Sequence, residues 1–424
     1  EKGLDPMNTY LGVQRACELV ELLGAGEVVD GVIDVIAADK NPTTVLLEPD
    51  KINSLLGTDI SKEAMIEILL RLGFTMDGDT IIVPSWRSDV EHYSDIAEEV
   101  ARFFGYNNLP VTLMRGQTTR GGLNAKQKAE VLATSTCRSL GYSEIMTYSF
   151  ISPSYYDKVR MPVDSPKRDS IRILNPLGED TSIMRTTAVP SMLEVLARNE
   201  HYHNPKAMLY ELARIYGKRE GTAMADERQD LILGAYGGGM DFFRLKGAVE
   251  AILKAFRVDG VSYTANAERP AFHPGRCADV TVNGQVIGTL GEIHPLVAKN
   301  YDVTNRMYLA RLDFTALLAL EHTEITYKPL PKYPSVARDI AVVCDADLPV
   351  GELEACIAKS GKGLVKEIAL FDIYTGAPIP AGKKSVAFSL KLRSEDHTLT
   401  DAESDEDVKA ILAALEQEKG AVLR

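Results

Sequence analysis

A chain of 424 residues, 45% hydrophobic and 25% charged, has the proportions of a globular protein with buried cores, which excludes disorder, collagen-like structure and low complexity as overall descriptions. Its length corresponds to about two to four domains. With 47 Lys and Arg against 60 Asp and Glu, the formal charge of −13 excludes a protein that is basic all over, so any nucleic-acid binding has to use a local basic face.

The chain opens on Glu1-Lys2-Gly3-Leu4-Asp5-Pro6, without an initiator Met or a signal-peptide pattern, as expected for a fragment of a longer polypeptide. Leu11, Ala16, Leu19, Val20 and Leu23 at near-helical spacing predict a helix over 9–24, ended by Gly24. A strand over 28–36 is expected next, and residues 1–40 together look like the tail of a domain whose body is missing.

From 41 to 110 the pattern is that of a small α+β domain. A strand at 44–47 precedes a helix at 49–56 and a second helix from Ser61 that stops at Gly73. Asp77-Gly78-Asp79 is a hairpin turn into Ile81-Ile82-Val83, and a helix over 94–104 closes the unit.

Residues 111–327 read as a large mixed domain. Helices at 125–140, 190–199 and 243–256 alternate with strands at 144–149, 207–216, 278–282 and 286–290, which predicts an antiparallel sheet with helices packed on it. After the proline-rich joint Lys328–Pro334, residues 328–424 read strand, helix, strand, strand, helix, strand, the split βαβ or ferredoxin-like order. Thr400 and Glu403 form a capping box for the last helix, whose buried stripe is Val408, Ile411, Leu412 and Leu415. The fold class is therefore multidomain α+β.

The most chemically pointed stretch runs from Arg87 to Tyr106. On a helix, Asp95, Glu98, Glu99 and Arg102 fall within an arc of about 100°, opposite an apolar face, and Asp89 can reach them from the preceding loop. Converging carboxylates suit a hard cation such as Mg²⁺, whose charge oxygen ligands must offset. The same spacing suits a solvated acidic face, the commoner outcome for such a pattern, with acids favouring the helix dipole and Glu98 and Glu99 pairing with Arg102.

Other signals are weaker. His201-Tyr202-His203 has no third ligand nearby for zinc. Gly237-Gly238-Gly239 before a helix lacks both common phosphate-loop patterns and reads as a strand-to-helix connection. Five scattered cysteines without a Cys-x-x-Cys pair point to a reducing, cytoplasmic setting rather than a disulfide framework. No apolar run approaches the ~18 residues of a membrane span. In the last domain, strand 385–393 alternates, so that Ser385, Ala387, Ser389, Lys391 and Arg393 form an open, mildly basic face, which suits either RNA or plain solvent.

Taken in order, Val83–Asp89, Asp95–Arg102, Gly105–Pro110, Asn175-Pro176-Leu177, Met184-Arg185-Thr186, Asp241–Gly247, His273-Pro274-Gly275-Arg276, Gly288–Pro295 and Tyr333–Asp339 resemble the β subunit of bacterial phenylalanyl-tRNA synthetase over essentially the whole chain. The resemblance implies a remnant of the editing domain over 1–40, lacking most of that domain and the N-terminal tRNA-binding module. It implies that Asp89, Asp95, Glu98 and Glu99 bind Mg²⁺ at a site shared with the α subunit. It also implies that 111–327 is a catalytically silent class II synthetase-like core that pairs with α, and that 328–424 is a ferredoxin-fold anticodon-binding domain. Strand Leu209–Tyr216 lacks the aromatic-Arg-x-Glu signature of active cores, and Asp241 stands where a third motif glycine belongs.

The implied function is therefore the non-catalytic β subunit of phenylalanine–tRNA ligase. ATP is used on the α subunit, and the expected assembly is two α and two β chains that charge tRNA(Phe) in the cytoplasm. Lys391, Arg393 and Arg338 are the expected tRNA contacts, since attraction between Lys or Arg and phosphate supplies most nonspecific affinity. The competing class is a free-standing RNA- or protein-binding module without a ligase partner.

Overall fold

Helix α1, Asn8–Leu22, buries none of its residues. The computed structural model describes residues 4–37 and 41–424; residues 1–3 and 38–40, the two ends of the expected remnant, lie outside the described residues. The strand expected over 28–36 does not form. Val29, Ile33 and Val35 are 88%, 95% and 85% exposed, and without a paired neighbour or a buried face a β-branched run has nothing to hold it extended in a ladder.

The chain divides after Gly121 into two units. In the first, β1 (Thr44–Leu46) leads to α2 (Pro49–Leu56), α3 (Lys62–Arg71), β2 (Thr75–Asp77), β3 (Thr80–Ile82) and α4 (Tyr93–Phe104). The short sheet has the order β1-β3-β2 and is antiparallel. Gly78, at φ +60°, makes the tight β2–β3 turn, a conformation that a side chain would strain. Ile52, Met65, Leu69, Phe74, Ile81, Ile96 and Val100 form one core, so α4 is anchored by its apolar face, with Glu98 exposed and Glu99 buried.

The second unit begins with α5 (Ala125–Ser139), β4 (Ser143–Glu144), β5 (Phe150–Ile151), α6 (Ser154–Lys158), β6 (Ile183–Met184) and α7 (Val189–His201). Next come β7 (Lys206–Gly217), β8 (Asp226–Gly237), α8 (Phe242–Ala255), β9 (Val261–Ala265), β10 (Phe272–Val282), β11 (Gln285–Ile293), α9 (Pro295–Asn300), β12 (Met307–Asp313) and α10 (Phe314–Ala319). Seven strands build one sheet in the order β4-β7-β8-β12-β11-β10-β9, antiparallel except for β4 against β7.

Two cores cover its faces. Tyr210, Leu231, Leu233 and Leu290 pack with Val249 and Ile252 of α8 on one side. Ile232, Tyr236 and Leu309 pack with Met192 and Leu196 of α7 on the other. A Cβ at Gly234 would come within 2.7 Å of the Met192 side chain, so the missing side chain is what lets α7 lie on β8. Of residues 144–149, expected as a strand, only Glu144 belongs to one, β4, whereas β8 and β12 were not expected. Both of these are buried on both faces, and a strand in that position loses the alternation that would reveal it.

The remaining elements are β13 (Val336–Asp345), α11 (Val350–Ser360), β14 (Val365–Tyr374), β15 (Lys383–Leu392), α12 (Asp401–Lys419) and β16 (Val422–Leu423). Their sheet order, β14-β15-β13-β16, is the ferredoxin-like one. Ile340, Val342, Phe388 and Leu390 face Ile411 and Leu415 of α12, and Thr400 and Glu403 cap α12 reciprocally.

Candidate functional site

The acidic stretch folds around α4, and each acid there has a different job. Asp95 completes the N-terminal cap: one oxygen of its carboxylate accepts from the backbone N–H of Glu91 at 2.9 Å and of His92 at 2.7 Å. Asp89 accepts three bonds from Arg87, from Nε at 2.9 and 3.2 Å and from Nη2 at 2.6 Å. The same Nη2 reaches Glu99 at 2.7 Å, and Arg102 takes the other Glu99 oxygen. Glu98 is exposed and, among the described residues, makes no hydrogen bond or ion pair.

Electrostatics follow from this geometry. The hydrogen bonds from Arg87 hold the Asp89 carboxyl below the ordinary value. Burial pushes Glu99 up, but Arg87 and Arg102 outweigh it and leave its pKa lowered. Arg87, bonded to Asp89 and Glu99, is raised. Two acids are thus neutralised by two guanidiniums, and a third serves the backbone.

Mg²⁺ needs several unsatisfied carboxylate oxygens aimed at one point. Among the described residues no group of three or more His, Cys, Asp or Glu side chains is placed to hold a metal ion. As arranged in this chain, Asp89, Asp95, Glu98 and Glu99 do not fit the ion. Sequence spacing put the acids on one arc but gave no sign of Arg87, which enters from the loop and occupies the space between Asp89 and Glu99.

On the C-terminal sheet the three expected cations separate. Lys391 and Arg393 lie on the face away from the helices. Arg338 pairs in register with the core residue Leu390 and turns to the opposite, helix-bearing face, where it binds Asp401 at 2.7 Å and Asp405 at 3.3 Å of α12. The outer face is also less basic and less open than expected. Lys391 is paired with Glu367 at 3.3 Å, Asp339 and Asp372 sit opposite Ser389 and Ala387, and Ser385 and Ala387 are buried because β15 is a central strand. Arg393 is the one expected contact that, among the described residues, has a guanidinium without an ion pair.

Arginines around the seven-stranded sheet are used internally. Arg185, 2% exposed, bonds Glu211 at 3.0 Å, Thr147 at 2.6 Å and the Arg214 carbonyl at 2.9 Å. Arg276 bonds both oxygens of Glu292 at 2.9 Å. Gly237, Gly238 and Gly239 all have positive φ, and Arg244 closes their loop by donating to the Gly238 carbonyl at 2.6 Å. His201 bonds the Asp302 carbonyl at 2.9 Å.

Comparison with known proteins gives a consistent set of relatives. Family models match residues 45–106 as a tRNA synthetase B5 domain, 109–314 as the phenylalanyl tRNA synthetase beta chain CLM domain, and 331–424 as a ferredoxin-fold anticodon binding domain. The chain is similar to the phenylalanine–tRNA ligase beta subunit of Clostridium acetobutylicum, at 42% identity over 100% of this chain and 54% of that protein. For the corresponding protein of Clostridium tetani the identity is 41%, with the same 100% and 54% coverage. The chain therefore spans about half the length of the curated relatives it matches. A solved pyrrolysyl-tRNA synthetase from Desulfitobacterium hafniense overlays with a TM-score of 0.39 and 15% identity, over 46% of this chain and 68% of that one.

Proposed function

The chain belongs to the phenylalanyl-tRNA synthetase β-chain family, and from that premise we propose that it serves as a non-catalytic β component of phenylalanine–tRNA ligase. It pairs with an α subunit, which binds ATP and attaches phenylalanine to tRNA(Phe), in a cytoplasmic assembly of two α and two β chains. The observation that carries this reading is the ordered succession of three matched domains over residues 45–424.

Two features support the division of labour. Adenylate formation requires cationic groups free to meet a triphosphate, whereas Arg185 and Arg276 are each bound to a carboxylate of the seven-stranded sheet. Pairing with α requires apolar surface. Leu174 and Leu177 are 101% and 102% exposed, and Met146 and Tyr148 are 92% and 82% exposed, on segments that border β5 and β6, and apolar exposure of this extent marks an interaction surface.

The outer face of the C-terminal sheet, with Lys391 and Arg393, is the proposed tRNA contact. Arg338, on the opposite face, anchors α12. For the four acids of α4 and its loop to take Mg²⁺ in the assembly, Arg87 and Arg102 have to release Asp89 and Glu99.

Co-expression with an α subunit tests the proposal. The expected result is co-elution at the mass of a 2:2 complex and aminoacylation of tRNA(Phe) by that complex, with none by the chain alone. A chain that stays apart from α while binding RNA by itself would identify a free-standing module instead.

A further inference from the structure

At the N-terminal end of α7 the sheet face that this helix covers turns from apolar to polar. Arg311 of β12 is held there by Asp230 of β8, through Nε at 2.8 Å and Nη2 at 2.6 Å. Thr289 of β11 donates to Asp279 of β10 at 2.8 Å, and Arg269 donates to both oxygens of Asp279, at 3.0 and 2.9 Å. The segment 159–167 and residues Arg269–Phe272 close over this floor and leave a cavity of about 280 Å³. Val159, Met161, Val189 and Phe272 supply an apolar wall, and Lys167 lines the cavity beside them.

Counting donors and acceptors decides what such a cavity can recognise. Every carboxylate around it is already used. Asp230 is taken by Arg311, and Asp279 by Arg269, Asn266 and Thr289. Asp313 accepts from the Ala316 N–H at 2.9 Å and pairs with Arg228 at 3.0 Å. Donors remain in excess, because Arg269 and Arg311 spend only part of their five N–H groups on these acids. Among the described residues, the Lys167 ammonium makes no hydrogen bond or ion pair.

Desolvation and the neighbouring Arg311 both lower the Lys167 pKa. Its overall accessibility is that of an exposed residue, so the desolvation is that of a cavity mouth and not of a closed core. An ammonium left in that position gains most from an anion. A cationic ligand would find no unpaired carboxylate among the described residues around it.

We propose that this cavity binds a small organic carboxylate, with the anionic group on Lys167 and the free donors of Arg311 and its apolar body against Met161 and Phe272. The volume lies at the small end of ligand sites, about 300–1,000 Å³, which suits a molecule of roughly the size of an aromatic acid and is too small for a nucleotide. The four lining side chains named come from three separate parts of the sequence, so no local motif announces the site.

Benzoate titrated into the full chain by calorimetry, with the Met161 methyl resonance followed by NMR, tests the proposal. Saturable binding with a shift at Met161 is expected. Lys167→Gln is expected to weaken it about tenfold, the loss of one charge-assisted hydrogen bond, and Lys167→Arg to retain it. Acetate, which lacks the apolar body, should bind more weakly, as should inorganic phosphate, and benzylamine should not bind. Absence of saturable benzoate binding, equal affinity in Lys167→Gln, or binding of phosphate or benzylamine as tight as that of benzoate would each overturn it.

Discussion

Arg87 and Glu99 meet at 2.7 Å, a guanidinium from the loop before α4 gripping a carboxylate that is only 5% exposed. Arg102 binds the second oxygen of that carboxylate, so removal of the anion leaves two cations without their common partner. Glu99→Gln should lower the unfolding free energy by about 2 kcal/mol, whereas the exposed neighbour Glu98→Gln should change it by less than about 0.5 kcal/mol. Asp89 and Glu99 both titrate below their ordinary values. Their contribution is therefore present above the unfolded-state pKa of about 4 and is lost as pH falls through the folded values. Urea denaturation across that range measures both effects; a Glu99→Gln chain as stable as the parent, with the same acid limb, would show the clamp to be idle.

The same clamp makes a prediction about Mg²⁺. With Asp89 and Glu99 paired and Asp95 capping α4, Glu98 alone of the four acids has, among the described residues, no hydrogen bond or ion pair, and one monodentate ligand does not hold a strongly hydrated ion. Millimolar Mg²⁺ added to the EDTA-treated chain should leave its thermal midpoint unchanged. A rise of several degrees that disappears in Glu98→Gln or Glu99→Gln would mean that the acids can converge without a partner.

For tRNA, the sheet face predicts opposite effects from two neighbouring substitutions. Lys391 is tied to Glu367, so Glu367→Gln should free its charge and tighten tRNA(Phe) binding by the αβ complex at low salt. Lys391→Ala combined with Arg393→Ala should weaken binding and reduce the slope of log affinity against log salt by about two, one unit for each lost phosphate contact. Filter binding over a salt series reads both. Unchanged slopes would move the tRNA contact to another surface.

How much of this was legible in the sequence depends on how local each signal is. Helix α12 announces itself through Thr400, Glu403 and the stripe ending at Leu415, all within one element. The acid arc of α4 was equally local, but its meaning was not, because Arg87 lies twelve residues from Glu99 and reaches it only through the path of the intervening loop. The orientation of Arg338 was readable. Ile340, Val342 and Cys344 alternate inward, and the two-residue period carries Arg338 to the same side. By contrast, Asp230 and Arg311 are 81 residues apart in two separate strands, and only the sheet register brings them together.

That pair is suited to a double-substitution cycle. Burial pushes the fully buried Asp230 carboxyl upward, and the Arg311 guanidinium, charged at any ordinary pH, is what retains it as an anion. Arg311→Met alone should cost about 3–5 kcal/mol by stranding the carboxylate, and Asp230→Leu with Arg311→Met should recover most of that loss. Chemical denaturation gives the coupling directly, and additive losses would show the two side chains to be independent.

Asp407 presents the reverse situation. It sits on the inner side of α12 at 2% exposure, and among the described residues neither carboxylate oxygen has a hydrogen-bond partner. Desolvation raises its pKa, against a weaker opposing pull from Lys362. An acid whose folded pKa lies above the unfolded one binds its proton more tightly in the folded state, so the fold is penalised as pH rises from the unfolded value through the folded value. Above that window the penalty is complete. Asp407→Asn keeps the shape and removes the ionisation, and it should raise stability at neutral pH by about 1 kcal/mol or more. The gain should shrink as the parent is acidified through that window and vanish below about pH 4, where its own carboxyl is protonated in both states. Thermal denaturation of parent and variant at neutral and acid pH measures the difference; a variant less stable at neutral pH, or a gain that does not change with pH, would mean that the Asp407 carboxylate is compensated in the folded chain.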